Sequence, residues 1–345
     1  MILNDSIERL LLIAPTWIGD AVMATVVYRA ARHACPNATI TIAARNSLCP
    51  LLDGADWFDH VAPIEPSGLF GPIRAGRRLA AGSPEAVILL PGSFRSALIA
   101  RCSGAPCRIG TARDARRLLL THPLPHPDRS QPISAVEHYA RIASACFGDD
   151  ATADRSLSLH LSDENRNAAD RLLQDDDRRL LLLVPGANRA DKRWPIERFA
   201  EAANALVKSH AMRVIVCGAP AEAQLTATLA AALPPGTIDG PAQQVGLGLL
   251  KALAARAALV ITNDTGPRHI AAAMGAPIVS LFGPTDHRWT TLPNVREHTL
   301  LADPFLPEDA MADHHPDRCV IDQIEVTDVI AAGRRLLDES TSTTT

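Results

Sequence analysis

The stretch from Ala257 to Pro284 reads AALVITNDTGPRHIAAAMGAPIVSLFGP, and its punctuation decides the fold class. Ala258 to Thr262 is a short apolar, β-branched run. A polar turn follows, Asn263-Asp264-Thr265-Gly266, and then Pro267 opens an alanine-rich helix that Gly275 closes. Proline suits the start of a helix because its missing N–H would be unpaired there anyway, and glycine suits the residue just past the end. Ile278 to Phe282 then reads as the next buried strand of a parallel sheet, stopped by Gly283-Pro284. This order of strand, loop, helix, loop and strand puts the free amides and positive dipole end of the helix at the carboxyl edge of a strand. Such a position suits an anion, typically a phosphate.

Working outward, 345 residues exceed most single cores, so two α/β domains are the natural expectation. Apolar residues make up 47% and aromatics only 4%, which favours helices packed on sheets over a sandwich or barrel. A net charge of −4 gives no general attraction to nucleic acid or anionic lipid, although local basic clusters are compatible with it. Seven cysteines without C-x-x-C spacing imply a reducing cytoplasm. The N-terminal apolar run follows Asp5 and Glu8 and breaks at Pro15, which fits neither a signal peptide nor a membrane span.

In chain order, Arg9 to Ala14 is a buried-strand pattern ending in Pro15-Thr16-Trp17-Ile18-Gly19-Asp20 and passing into a helix, Ala21 to Ala34. Asp20 therefore sits at a helix start above the carboxyl end of the first strand. A carboxylate there is either a cap or first-turn acid or a general base at a crevice edge, and the loop alone leaves both open. Thr39 to Ala43, Val61 to Ile64 and Ala86 to Leu90 read as further strands, the last delivering Pro91-Gly92-Ser93-Phe94-Arg95-Ser96 to the same edge. Arg101 to Arg117 is the most basic stretch of the chain, and it reads either as a solvated helix face or as the phosphate-binding side of a crevice. Thr121 to Pro132 reads as a proline-rich loop, Ile133 to Phe147 and Asp163 to Leu173 as helices.

The polar break from Gln174 to Arg179 suggests a linker, giving an N-terminal domain of residues 1–174 and a C-terminal domain of residues 175–339, with a disordered tail at 340–345. The second half restarts with the strand Leu180 to Val184 and the loop Pro185 to Pro195. Arg213 to Cys217 is the next strand, with Glu222 on the following helix. Lys192, Glu222 and the Asp264-Thr265-Gly266 turn thus lie on three strand-edge loops. A lysine and a helix N-terminus neutralise a diphosphate, and a carboxylate accepts both hydroxyls of a ribose, so together these groups would bind a nucleotide. No G-x-G-x-x-G follows the first strand and no G-x-x-x-x-G-K-[ST] occurs, which argues against a dinucleotide dehydrogenase and a P-loop enzyme.

The set Thr16 to Asp20, Leu90 to Leu98, Pro185-Gly186 with Lys192-Arg193-Trp194-Pro195, and Thr262 to Gly266 with His269 and Gly283-Pro284 resembles the family 9 glycosyltransferases. Within them it is most similar to the ADP-heptose:lipopolysaccharide heptosyltransferases, the type II branch in particular. The resemblance implies a GT-B architecture of two Rossmann-like domains with parallel sheets facing a central cleft. The acceptor would lie on the first domain and the nucleotide sugar on the second. It implies inverting transfer that requires no metal or other cofactor, from ADP-L-glycero-D-manno-heptose to the inner core of lipopolysaccharide. Asp20 matches the family's proposed catalytic base. Lys192 and the amides of Thr265 and Gly266 match the groups that stabilise the departing ADP. Asp264 and His269 match residues beside the donor, and Glu222 a ribose-binding carboxylate. Thr16, Arg95, Arg113 and Arg117 are the candidates for the acidic lipid A–Kdo acceptor.

The chain departs from the family pattern at Ala187-Asn188, where some members have hydroxyl residues. It also retains only Cys319 where many carry a cysteine cluster. His314, His315 and Cys319 offer three metal-ligand types without an evident fourth, so no metal is expected there. The reading is a cytoplasmic glycosyltransferase at the inner face of the membrane, with no nucleic-acid partner. A family 9 enzyme with another donor or acceptor and a non-catalytic nucleotide-sugar binding protein are the alternatives.

Overall fold

Each apolar β-branched run picked out in the sequence forms a strand, and every strand pairs in parallel. The computed structural model describes residues 1–3, 5–126, 132–174, 176–302, 312–314 and 317–342. The chain divides into two units. The first comprises Met1–His160 with Trp289–Pro293, the second Leu161–Arg288 with Asn294–Thr345.

In the first unit β1 (Arg9–Ile13), β2 (Thr39–Arg45), β3 (His60–Ile64), β4 (Ala86–Leu89), β5 (Cys107–Thr111) and β6 (His122–Leu124) form one sheet in the order β3-β2-β1-β4-β5-β6. In the second unit β7 (Leu180–Val184), β8 (Arg213–Val216), β9 (Ile238–Asp239), β10 (Ala257–Asn263), β11 (Ile278–Phe282) and β12 (Glu297–Leu301) form the other, in the order β12-β11-β10-β7-β8-β9. Both are doubly wound sheets. In each the first and fourth strands lie side by side at the centre, so the chain reverses its direction of winding between β1 and β4 and again between β7 and β10. Loops leaving the carboxyl ends of those central pairs diverge, and the crevice they leave is where such sheets bind ligands.

The central strands are buried on both faces, as helices on either side of a parallel sheet require. One core of the second unit collects Leu181, Leu183, Phe199, Leu206, Ile261 and Leu337 around Trp194, which is 2% exposed. The indole N–H of Trp194 donates to the Ile324 carbonyl at 3.0 Å, and its backbone N–H donates to Asn263 Oδ1 at 3.2 Å. Asn263 Nδ2 in turn donates to the Pro185 carbonyl at 2.8 Å. One fully buried side chain at the end of β10 thereby fixes the loop that leaves β7. The β10–β7 register shifts between Ala257 and Leu259, a bulge just upstream of this lock.

Several boundaries differ from the sequence reading. The helix expected over Ala21 to Ala34 is two, Ile18–Met23 and Thr25–Ala34, broken where the buried Thr25 hydroxyl donates back to the Val22 carbonyl at 2.7 Å. The basic stretch is no single helix face: it runs through the end of the Phe94–Cys102 helix, strand β5 and the 3₁₀ turn Asp114–Leu119. The proline-rich loop contains β6, because a short edge strand tolerates Pro123. The division falls between His160 and Leu161 and not at the polar break near Gln174, since the Asp163–Leu173 helix packs on the Leu247–Ala254 helix of the second unit. The final helix, Val326–Ser342, runs on through the start of the expected tail, and residues 343–345 lie outside the described residues.

Asn263→Ala leaves the Trp194 amide and the Pro185 carbonyl buried without their partner. The expected cost is about 2–4 kcal/mol, read as a fall in the urea midpoint at unchanged m-value.

Candidate functional site

In the second unit the site grows from the two central loops. The loop after β7 turns at Pro185-Gly186 and is pinned by Arg193, whose Nε and Nη2 donate to the Ala187 carbonyl at 2.9 and 2.7 Å. A 3₁₀ turn, Ala190–Lys192, then presents Lys192. The loop after β10 carries Asp264, and Thr265 stands at the N-cap position of the Gly266–Ala273 helix, with Pro267 in its first turn. Lys192 Nζ donates to Asp264 Oδ2 at 3.0 Å, and Thr285 Oγ1 donates to the same oxygen at 3.1 Å. Sequence reasoning placed these residues on converging loops, and the fold joins them across the sheet's reversal point.

Beneath Asp264 lies a charge network that the sequence did not disclose. Arg268 is 1% exposed and binds Glu297 through two parallel hydrogen bonds, Nε to Oε1 at 2.6 Å and Nη2 to Oε2 at 2.8 Å. Ser280 Oγ donates to the same carboxylate, the Phe282 ring lies 4.9 Å below the guanidinium, and Arg268 Nη1 stands 3.8 Å from Asp264 Oδ1. Burial alone would raise the Asp264 carboxyl, but Lys192 and Arg268 outweigh it and hold the group below the usual carboxylate range. Asp264 is thus anionic and fixed from two sides. His269 is buried one helical residue on, and burial, reinforced by Arg268 and opposed by Asp264, pushes its imidazole down to about 3. It is neutral at physiological pH, and its Nδ1 has no partner among the described residues.

Glu222 ends a 3₁₀ turn, Pro220–Glu222, and does not sit within the Ala223–Ala231 helix. Its Oε2 accepts the Ala219 amide at 2.8 Å, the bond of a local cap. A methyl group on Gly186 would fall 2.2 Å from Glu222 Oε1, so glycine at 186 is what lets this carboxylate lie against the β7 loop. The described residues therefore bring Lys192, Glu222, Asp264, Thr265, Gly266 and His269 to one edge of one sheet.

The first unit repeats the plan with other chemistry. Thr16 and Trp17, both exposed, leave β1, and Asp20 stands half-buried in the first turn of the short Ile18–Met23 helix. The chain's only two tyrosines face it. Tyr139 donates its hydroxyl to Asp20 Oδ1 at 3.3 Å, whereas the buried Tyr28 hydroxyl has no partner among the described residues. Burial raises the Asp20 carboxyl and the Tyr139 bond partly offsets it. Arg95, in the first turn of the Phe94–Cys102 helix that follows β4, donates to the Gly68 carbonyl at 2.9 Å and also to Pro66. Arg113 and Arg117 are exposed on the turn after β5. Arg116 between them is 1% exposed, lies over Gly110 and donates to the Pro91 carbonyl at 2.8 Å, with Nε and Nη2 unbonded among the described residues.

Of the residues considered for metal binding, Cys319 is buried against Ala302 and Ala312, and His315 lies outside the described residues. Among the described residues no group of three or more His, Cys, Asp or Glu side chains is placed to hold a metal, and no helix is long and apolar enough to cross a membrane.

Two doubly wound units, each with polar groups gathered at its reversal point, define a transferase of GT-B architecture. The chain matches the family described as Glycosyltransferase family 9 (heptosyltransferase) over residues 73–310, well over half its length. It belongs to glycosyltransferase family 9 and is a glycosyltransferase. The lipopolysaccharide heptosyltransferase 2 of Escherichia coli K12 is 27% identical over 298 residues, 82% of this chain and 84% of the relative. The solved E. coli ADP-heptose lps heptosyltransferase II shares the fold at a TM-score of 0.81 and 24% identity, covering 96% of this chain and 99% of that one. E. coli heptosyltransferase WaaC, solved with ADP-2-deoxy-2-fluoro heptose, aligns at a TM-score of 0.68 and 20% identity, over 96% of this chain and 99% of that one.

Because the folded His269 titrates below its unfolded value, the unfolded chain binds the extra proton between about 6.5 and about 3. Stability is therefore expected to fall as pH drops through that window. His269→Gln should flatten that part of the profile, measured as urea midpoints from pH 7 to pH 4.

Proposed function

We propose that this enzyme transfers a heptose, with inversion and without a metal, from ADP-L-glycero-D-manno-heptose to the inner core saccharide of lipopolysaccharide. It would work at the cytoplasmic face of the inner membrane. The observation that carries the reading is the Lys192–Asp264 pair at the amide end of the Gly266–Ala273 helix, at the reversal point of the second sheet. Support for the donor and acceptor comes from the heptosyltransferase relative and from the nucleotide sugar held by a protein of the same fold.

Each unit then contributes one part of the reaction. In the first, Asp20 accepts the proton of the acceptor hydroxyl as its oxygen attacks C1 of the donor. A carboxyl raised by burial is a stronger base than an exposed aspartate, and Tyr139 occupies Oδ1 and leaves Oδ2 for the proton. Attack from the face opposite the leaving group forms the new C1–O bond as the bond to ADP breaks, which inverts the anomeric centre. In the second unit the Lys192 ammonium and the Thr265 and Gly266 amides take up the charge released on the diphosphate. Those amides lie at the N-cap and the first position of the helix, where no helical carbonyl reaches them. Glu222 accepts the ribose hydroxyls, and the neutral His269 imidazole stands beside the donor without adding charge. Asp264 holds Lys192 in place until the diphosphate arrives. Thr16, Arg95, Arg113 and Arg117 receive the acidic acceptor, where planar guanidinium groups suit carboxylates and phosphates.

Calorimetric titration with ADP, UDP, GDP and NAD, with Mg²⁺ or with EDTA, tests the donor. Selective ADP binding that is indifferent to metal is expected, weakened about tenfold or more in Lys192→Ala. Preference for UDP or GDP would overturn the donor, and the absence of nucleotide binding would overturn the function. Asp20→Asn should retain ADP affinity and lose about 10²–10⁴ in kcat. Tyr139→Phe removes the bond that lowers the Asp20 carboxyl, so the acidic limb of kcat/KM should move to higher pH. An unmoved limb would separate Tyr139 from the base.

A further inference from the structure

The chain is acidic overall, yet residues 66–120 carry nine arginines and no lysine against only Glu85 and Asp114, a net of +7 in a protein of net charge −4. This segment also holds four of the exposed large apolar side chains: Leu69 at 81%, Phe70 at 61%, Phe94 at 51% and Leu118 at 86%. The fold gathers them. Phe70 immediately precedes the Gly71–Leu79 helix and Phe94 opens the Phe94–Cys102 helix, and these two helices pack on each other. They pack closely, since a methyl group on Gly76 would lie 2.5 Å from Cys102 Cβ. Both begin at the carboxyl edge of the sheet, so Phe70 and Phe94 stand at the same end. Arg95, reaching from the second helix to the Pro66 and Gly68 carbonyls, stitches the Leu69 loop to it, and the 3₁₀ turn with Leu118 packs against that same helix. Among the described residues Arg74, Arg77, Arg78 and Arg117 are exposed and form no ion pair.

Singly exposed apolar residues need no explanation, but leucine and phenylalanine at 51–86% exposure set among arginines without acidic partners form a patch of defined chemistry. A protein partner would meet it with carboxylates and an apolar face of fixed shape. A bilayer with anionic headgroups meets it with diffuse negative charge outside and hydrocarbon a few ångströms below, which suits long arginines and unpaired loop-tip side chains alike. We propose that this face of the first unit is the surface by which the enzyme docks on an anionic lipid bilayer. The proposal rests on the reading of a lipid-linked acceptor, whose sugar is reached from the membrane surface. It explains how a protein of net negative charge binds a negative surface: the attraction is local, over distances comparable with the Debye length, and the excess acid lies elsewhere in the sequence.

The test is co-sedimentation of the full chain with vesicles of phosphatidylcholine alone and of phosphatidylcholine with phosphatidylglycerol. Binding to the anionic vesicles only, weakened by salt, is expected. The triple variant Leu69→Ser, Phe70→Ser, Leu118→Ser should bind those vesicles at least tenfold more weakly. Arg74→Gln, one helical turn beyond Phe70 and exposed, should lose about fivefold. Both variants should keep the wild-type circular dichroism spectrum and the wild-type rate on a de-acylated, water-soluble acceptor. Wild-type protein that ignores anionic vesicles, or a triple variant that binds them fully, overturns the proposal. So does a triple variant that binds vesicles normally but fails on the soluble acceptor, since the patch would then belong to the saccharide site. A wild-type dimer dispersed by the triple substitution would equally overturn it in favour of self-association. If wild-type protein binds anionic vesicles but turns over no heptosyl donor, the docking surface stands and the enzymatic reading falls.

Discussion

The contact between Lys192 and Asp264 joins positions 72 residues apart, and much of the second unit exists to make it possible. Strand β7 must lie beside β10 for their loops to meet, Asn263 must bridge the loops, and Trp194 must be buried for Asn263 to have a partner. Arg268, paired with Glu297 from beneath, supplies the second cation that holds the Asp264 carboxyl low where burial alone would raise it. An ion pair of this sort contributes little net stability, because desolvating both charges offsets much of their attraction. Its value lies in position: it holds a lysine at a fixed point beside a helix N-terminus, where on the proposed reading the donor diphosphate arrives.

The two aspartates at the two reversal points are driven in opposite directions. Asp264 lies among cations and is held low, whereas Asp20 is desolvated beside the Tyr139 phenol and is raised. One carboxylate is thereby suited to holding a cation and the other to accepting a proton, a separation set by environment alone. On the proposed reading the first unit accordingly concentrates proton chemistry and arginines, and the second charge stabilisation. Arg116 extends the pattern, a buried guanidinium under the β4 loop whose usual high value is lowered by desolvation.

Strand runs, the Pro267 and Gly275 punctuation and the converging loops of Lys192, Glu222 and Asp264 were legible because they are local. Apolar periodicity and turn chemistry act over a few residues. What the sequence did not show depends on partners far away in the chain. Strand β5 hid inside an arginine-rich stretch because its burial comes from β4 and β6 and not from its own composition. Glu297 was invisible as the partner of Arg268 because β12 opens on Glu297-His298-Thr299 and its apolar run is only Leu300-Leu301, all five residues being half-buried. Tyr139 was seen as a helix residue, but only tertiary packing brings its hydroxyl to Asp20. The division at His160 was misplaced at the most polar segment because polarity marks exposure, whereas a domain boundary follows from what the Asp163–Leu173 helix packs on.

The bulge between Ala257 and Leu259 carries a consequence for how the site tolerates change. Side chains alternate along a strand, so a slip of one residue turns every later side chain to the opposite face. The bulge sits where the Leu247–Ala254 helix, whose phase is set by its own packing, hands over to a strand whose phase is set by β7 and β11. It works as an expansion joint. A residue lost before Leu259 is one the bulge can take up by closing, whereas a slip after it would swing Asn263 out of the lock and Asp264 away from Lys192.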